Sequence, residues 1–201
     1  MFNLNYATVI DPLLRNIRIY TLEFSGMKAG DRVLDVCCGT GAQAFHYAKR
    51  GIIATGIDLN PNMIKLAEAS KRKQGFQNVL FQIADATNLP FQDGSFDYAS
   101  TSFALHEKEM AARDRIISEM KRVVRKGGTL VFVDFQVPLP KNLSAYLVRV
   151  IEFMAGRRHY RCFREYAKQG GLGEILKKNQ LLEEKKGYPN RLITVIKTTN
   201  P

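Results

Sequence analysis

Long apolar runs are missing from this chain of 201 residues. No stretch approaches the roughly 18 consecutive apolar residues of a membrane-spanning helix, so none is expected. The opening Met1-Phe2-Asn3-Leu4-Asn5 has no charged segment followed by an apolar one, so no secretion leader is expected either. Cysteine is scarce: there are three, two of them adjacent, which make no disulfide framework. The expected location is the reducing cytoplasm, with peripheral contact at a membrane as a variant of it. Internal repeats and low-complexity segments are absent. Negative charge is short, with 19 acidic residues against 30 Lys and Arg and a net charge of +11. The imbalance is local: residues 141–201 carry 13 Lys and Arg against 5 Asp and Glu, whereas residues 1–140 carry 17 against 14. A basic tail suits RNA, an anionic membrane surface or an acidic small substrate, and it also serves simply to keep a protein soluble.

What is present is alternation. Hydrophobic content of 45% supports a sizeable core in one domain. Apolar spacing over Asn5 to Phe24, with Pro12 near its start, predicts an N-terminal helix. Strands are expected at Arg32–Cys38, Ile53–Asp58, Val79–Ala84, Phe96–Ser102 and Thr129–Gln136, and helices at Gly41–Arg50, Pro61–Lys73 and Glu109–Arg125. Asn60 before Pro61 reads as a helix N-cap, and Lys126-Gly127-Gly128 as a helix stop. Alternation of this kind implies a parallel sheet with helices on both faces. Two closing strands, Leu181–Gly187 and Arg191–Thr198, joined by a turn at Tyr188-Pro189-Asn190, suggest an antiparallel hairpin. The expected fold is α/β, a Rossmann-like doubly wound seven-stranded sheet, mostly parallel. Its expected parts are an N-terminal helical segment (1–29), a cofactor-binding core (30–136), a helical lid or insertion (137–173), and a C-terminal helix and hairpin (174–201).

The most telling segment is Val33-Leu34-Asp35-Val36-Cys37-Cys38-Gly39-Thr40-Gly41, with Gly56-Ile57-Asp58-Leu59 following. Each is an apolar run ending in a carboxylate, and a glycine turn follows the first. This reads as a βαβ unit around a nucleotide-like ligand. A dinucleotide brings a pyrophosphate, which Asp35 at the mouth of the first strand would disfavour. The acids suit S-adenosylmethionine, which carries an ammonium, a sulfonium and a ribose diol.

The ordered set of Asp35 with Gly39 and Gly41, Asp58, Ala84-Asp85-Ala86, Leu89-Pro90-Phe91, Asp93-Gly94-Ser95-Phe96-Asp97 and Lys126-Gly127-Gly128 resembles class I S-adenosylmethionine-dependent methyltransferases. It is most similar to the ubiquinone/menaquinone methyltransferase-like branch. The likeness covers residues 30–136 well and the terminal hairpin loosely. It implies that Gly39 and Gly41 let the backbone pass close to the methionine part of the cofactor. It also implies that Asp35 meets the methionyl ammonium and Asp58 takes both ribose hydroxyls. Leu59 and Met63 would pack on the adenine, with Asp85 and Ala86 at its polar edge. Cys37 and Ser102 complete the expected cofactor set, and Tyr6 would close over it. Asp97 is expected to be structural. At Cys37 the family pattern has glycine, and because a left-handed backbone is costly for cysteine, an extended conformation is expected there. No metal site is expected, since Cys37-Cys38 has no further ligands at a known spacing.

The resemblance points to His106, after the fourth strand, as the candidate general base, with a structural hydrogen bond as its alternative. Glu107 and Glu109 read as first-turn charges on the following helix. In the insertion, Leu143, Tyr146, Leu147, Val150, Ile151 and Met154 form one face of an amphipathic helix, followed by Arg157, Arg158, Tyr160, Arg161 and Arg164. The helix could be a substrate lid, a membrane-surface element over residues 143–164, or a contact between subunits of a homodimer, and the chain could equally be a monomer. Arg157, Arg158 and Tyr160 are the expected acceptor contacts. The expected activity is in-line methyl transfer from S-adenosylmethionine, yielding S-adenosylhomocysteine, to a small quinone-like or lipid-like acceptor. The alternatives are an RNA methyltransferase and a non-catalytic cofactor-binding protein. Against the RNA reading, nucleic acid being an unlikely partner, residues 101–106 read Thr-Ser-Phe-Ala-Leu-His and lack the Asn/Asp-Pro-Pro-aromatic motif of amino-group methylation.

Overall fold

A computed structural model describes residues 14–201. Five strands run parallel: β1 (Arg32–Val36), β2 (Ile53–Asp58), β3 (Val79–Ile83), β4 (Phe96–Ser102) and β5 (Val124–Phe135). The hairpin of β6 (Glu183–Asn190) and β7 (Ile193–Thr199) joins antiparallel to β5. The order β3-β2-β1-β4-β5-β7-β6 reverses between β1 and β4, which is where ligands enter open α/β sheets. All five parallel strands present their carboxyl ends at the same edge, so every acid that closes a strand is delivered there.

The central strands are buried on both faces, as parallel strands are. In β1, Leu34 and Val36 pack into the cluster that holds Ile116, Ile117 and Met120, while Val33 packs oppositely with Phe45, Tyr47 and Ile52. In β5 the same alternation sends Leu130 and Phe132 one way and Val131 and Val133 the other. Helices α1 (Arg15–Ser25) and α2 (Ala42–Ala48) cover one face, and α4 (Met110–Val123) and α7 (Gly171–Lys178) cover the other. Helix α3 (Pro61–Gln74) starts as its sequence suggests: Asn60 Oδ1 accepts from the Asn62 N–H at 3.0 Å. It ends at Gly75, with φ of 73°. The insertion holds α5 (Leu143–Met154) and α6 (Arg157–Lys168).

Three local expectations need correcting. Helix α4 ends at Val123, and β5 begins at once, so Lys126-Gly127-Gly128 lies inside a strand. There the pairing with β4 slips from Phe96–Val124 to Tyr98–Thr129, and Gly127 absorbs the slip at φ of 70°. The side-chain amide of Asn200, far along the chain, donates to the carbonyls of Lys121 and Val124 at 2.9 and 2.7 Å and caps the helix. The hairpin turn falls at Asn190–Leu192, because β6 runs on through Tyr188 and Pro189. β6 is an edge strand, where a missing proline N–H costs no ladder bond. Finally, Cys37 is left-handed, with φ of 58°, rather than extended. The chain has to turn sharply out of β1, and the Cys37 side chain packs against the core cluster of Leu34 and Val36. As expected, Asp97 is a tie-bar: it accepts from the Arg32 N–H and from Arg125 Nε, both at 2.9 Å.

Candidate active site

Strand parity brings Asp35 to the face it shares with Val33, and the parallel register seats it beside Ser100 on β4. The Ser100 hydroxyl donates to Asp35 Oδ1 at 3.1 Å, and Oδ2 has no hydrogen-bond partner. Asp35 is 2% exposed, and burial raises its pKa to about 7, with Ser100, the Arg18 charge and the Ala44 N–H pulling the other way. It lines a side cavity of about 50 Å³, room for an ammonium-sized group, together with Arg18, Cys38, Gly39, Gln43 and Ser102. Ser102 Oγ is also buried without a hydrogen-bond partner. Gly39, with φ of 54°, has open space where a side chain would stand. At Gly41 the demand for glycine comes from packing: at φ of 76° a Cβ would run into the Phe81 ring.

Cys37 lines both this cavity and a larger cleft of about 760 Å³. Burial pushes its thiol up to about 12, so it is an inert neutral group there. Asp58 lines the cleft with one oxygen accepting from the Gly39 N–H and the other from the Asn60 N–H, both at 2.9 Å. Asp85 Oδ1 accepts from the N–H and the hydroxyl of Thr87, both at 2.8 Å, and these bonds hold its carboxyl below the usual range. Leu59 and Ala86 also line the cleft. Met63, half-buried on α3, is not in the lining of either cavity. Tyr6 lies outside the described residues.

The opposite wall comes from Glu107, Lys108, Glu109 and the Gly156–His159 segment. Arg157 and Arg158 are in it, with Arg158 Nε 3.2 Å from Glu109 Oε1. Tyr160 faces two other grooves. His106 is 4% exposed and does not line the cleft. Its Nδ1 is 2.6 Å from Asp134 Oδ1 and its backbone N–H donates to Asp134 Oδ2. Burial works against its charged form, but Asp134 and then Glu152 outweigh that and raise its pKa. The groups that sequence reasoning missed are Glu107, Lys108 and His159 in the wall, and Asp134 and Glu152 behind it. Asp134 was signalled by being an acid inside the apolar end of β5. Glu152 was masked by the apolar stripe of its own helix.

The fold and cleft have the form expected of class I S-adenosylmethionine-dependent methyltransferases: carboxylates at or near the ends of β1, β2 and β3, a glycine turn, and a cleft at the switch point. A methyltransferase-domain family model matches residues 33–128. Over 145 residues the chain is 35% identical to a demethylmenaquinone methyltransferase of Paenarthrobacter aurescens, covering 70% of this chain and 54% of that protein. It is 36% identical over 141 residues to the ubiquinone/menaquinone biosynthesis C-methyltransferase UbiE of Pseudomonas putida, covering 67% and 54%. The chain thus spans about half the length of the curated relatives it matches. Among solved structures, a SAM-dependent methyltransferase from Aquifex aeolicus superposes with a TM-score of 0.73 at 19% identity, covering 94% of each chain. Residues 33–128 thus match a methyltransferase domain, and the chain is similar to the UbiE-like branch of the class I methyltransferases.

Proposed function

We propose that this chain transfers a methyl group from S-adenosylmethionine to a small quinone-like or lipid-like acceptor while resting on a membrane surface through residues 143–164. The observation that carries the cofactor reading is the buried, unpartnered Asp35 Oδ2 beside an ammonium-sized cavity. A buried carboxylate oxygen without a partner costs on the order of 1–3 kcal/mol, and an ammonium placed there would recover it. Asp58 keeps lone pairs for a ribose diol beyond the two N–H groups it already accepts from. Asp85, fixed by Thr87, has its second oxygen available to an exocyclic amine. When bound, S-adenosylmethionine supplies a methyl already activated on its sulfonium. The residues around it have only to align the acceptor and exclude water.

The acceptor reading draws support from the names of the relatives, which act on demethylmenaquinone or in ubiquinone/menaquinone biosynthesis. It draws independent support from α5, whose apolar side chains are exposed: Leu143 is 73% accessible, and Tyr146, Leu147, Ile151 and Met154 are exposed too. The exposed Arg157, Arg158, Arg161 and Arg164 follow on α6, so apolar and basic groups adjoin as they do in helices at anionic interfaces. No described helix is long and apolar enough to cross a membrane. No specific observation favours the RNA or the non-catalytic reading.

The test is calorimetric titration with S-adenosylmethionine and S-adenosylhomocysteine. Micromolar binding is expected, weakened about 100-fold or more in Asp58→Ala, which removes charged hydrogen bonds of about 1.5–3 kcal/mol each. Absence of binding by the wild-type protein would overturn the cofactor assignment. If binding holds, turnover on a panel of prenylated quinols and catechols decides the acceptor.

A further inference from the structure

Behind the cleft wall, three side chains from three segments converge. His106 from the turn Leu105–Glu107, Glu152 from α5 and His159 from α6 place one ligand-type atom each within 4.8 Å of one another. Glu152 Oε2 is the hub, 2.5 Å from His159 Nε2 and 3.5 Å from His106 Nε2. Each imidazole has a carboxylate behind it. His106 gives its Nδ1 to Asp134 at 2.6 Å, and His159 Nδ1 faces Glu107 Oε2 at 3.5 Å. Carboxylates on the far ring nitrogen are how ligating histidines are oriented, leaving the other nitrogen as a lone pair for an ion.

The charges make the same point. Asp134 is fully buried and Glu152 is 5% exposed. Two nearby cations are engaged elsewhere. Lys108 pairs with Glu107. Arg113 spends its N–H groups on the carbonyls of Leu105, His106 and Cys162 and on Gln169. If His106 is neutral with its proton on Nδ1 toward Asp134, its Nε2 aims a lone pair at a carboxylate oxygen, which is repulsive. A positive charge between them satisfies both atoms, either a proton on His106 or a metal ion.

From this we infer that His106, Glu152 and His159 form a site for one divalent transition-metal ion in the wall of the cleft. Two imidazoles and one carboxylate suit Zn²⁺, Fe²⁺ or Co²⁺ over Mg²⁺ or Ca²⁺. The surroundings are prepared for it. Arg113 ties the backbone of the His106 turn to that of α6, fixing the two histidine-bearing segments relative to each other. The rings of Phe135, Phe163 and Tyr166 stand 4.8, 6.1 and 6.3 Å from the His106 ring and wall off bulk water on that side. Ligands at about 2.1 Å in a tetrahedral arrangement lie about 3.4 Å apart, so the His159–Glu152 pair must open by about an ångström to admit the ion. Three protein ligands leave a coordination position free. His159 lines the cleft, so the class of ligand the ion would take there is an oxygen or sulfur donor of the acceptor.

The experiment uses the untagged full chain. Elemental analysis of protein purified without chelator is expected to give close to one equivalent of Zn or Fe. Chelator-stripped protein should take up one Zn²⁺ with a sub-micromolar Kd, and one Co²⁺ with visible d–d absorption bands. Glu152→Gln and His159→Ala should each weaken uptake at least 100-fold, and Asp134→Asn about 10- to 100-fold. Binding of S-adenosylhomocysteine by Glu152→Gln, together with an unchanged circular dichroism spectrum, shows that the variant is folded. Less than a tenth of an equivalent of Zn²⁺, Fe²⁺ or Co²⁺ taken up by the folded wild-type protein would overturn the site. So would uptake indifferent to both substitutions, which would put the ion elsewhere.

Discussion

The edge formed by β1, β2 and β3 and the insertion of α5 and α6 face each other across one cleft, yet they are built on opposite rules. Along this edge, local pattern and tertiary placement agree: apolar residues point into the two layers of helices, and Asp35, Asp58 and Asp85 come at or just past the strands' carboxyl ends. In α5 they conflict. Its apolar stripe faces outward, while its two buried residues are Ala145 and the charged Glu152. Natural sequences are mostly consistent across these levels, and the departures concentrate at functional sites. The inversion sets α5 apart from the sheet, with apolar side chains on its outer face and a carboxylate on its inner one.

Substitution of apolar residues in the two regions should therefore have opposite consequences. Phe132→Ala, at a fully buried position in β5, is expected to cost about 3–5 kcal/mol in urea melts. The double change Leu147→Glu and Ile151→Glu, on the exposed face of α5, is expected to leave the urea midpoint nearly unchanged and to lower co-sedimentation with anionic phosphatidylglycerol vesicles by tenfold or more. If the double variant unfolds the protein instead, α5 is a core helix and the contrast between the regions collapses. If stability and vesicle binding both stay at the wild-type level, the outward face serves something other than a membrane.

The same contrast explains what was legible in the sequence. Short apolar runs alternating with helical patterns located the five parallel strands, and the acids at or just after three of those runs placed Asp35, Asp58 and Asp85 at the edge where the cavities lie. Those signals are local, and the sheet obeys them. The capping of α4 by Asn200 and the meeting of His106, Asp134, Glu152 and His159 are long-range, set by how segments dock rather than by spacing. For α5 the amphipathic period located the helix correctly, but period alone does not say which face is turned inward.

Within the sheet edge, Asp35 offers a smaller and sharper test. Its folded pKa of about 7 lies well above the value near 3.9 of an unfolded aspartate. The folded chain therefore holds more protons between those values, and the burial penalty, absent below pH about 4, grows through that window and is complete above 7. A cationic ligand beside Oδ2 favours the ionised form, so cofactor affinity should rise with pH between about 5.5 and 7.5 and then level off. Binding in that range should release a proton, seen as a dependence of calorimetric heat on buffer ionisation enthalpy. Asp35→Asn should flatten the profile and weaken binding about tenfold, with a higher urea midpoint above pH 7 in the free protein. A wild-type affinity independent of pH would mean that Asp35 does not meet the ligand's cation.

The smallest effect is expected where the sheet edge itself breaks a local rule. Cys37 sits at φ of 58°, a conformation that costs a non-glycine residue about 1–2 kcal/mol, and glycine there would remove that strain. Against this, glycine gives up more chain entropy on folding, about 0.5–1 kcal/mol. It also loses the contact of the half-buried thiol with the core cluster, worth about 1 kcal/mol or less. The opposing contributions nearly cancel, so Cys37→Gly is expected to move stability by less than about 1 kcal/mol, whereas Cys37→Val, β-branched in a left-handed turn, should cost about 2 kcal/mol or more. A glycine variant less stable by more than about 2 kcal/mol in urea melts would show that the thiol's packing, and not the turn, decides the residue at this position. The turn out of β1 would then owe its shape to the core below it, as the insertion owes its shape to the groups it buries, and the contrast between the two regions would narrow at the point where both cavities meet.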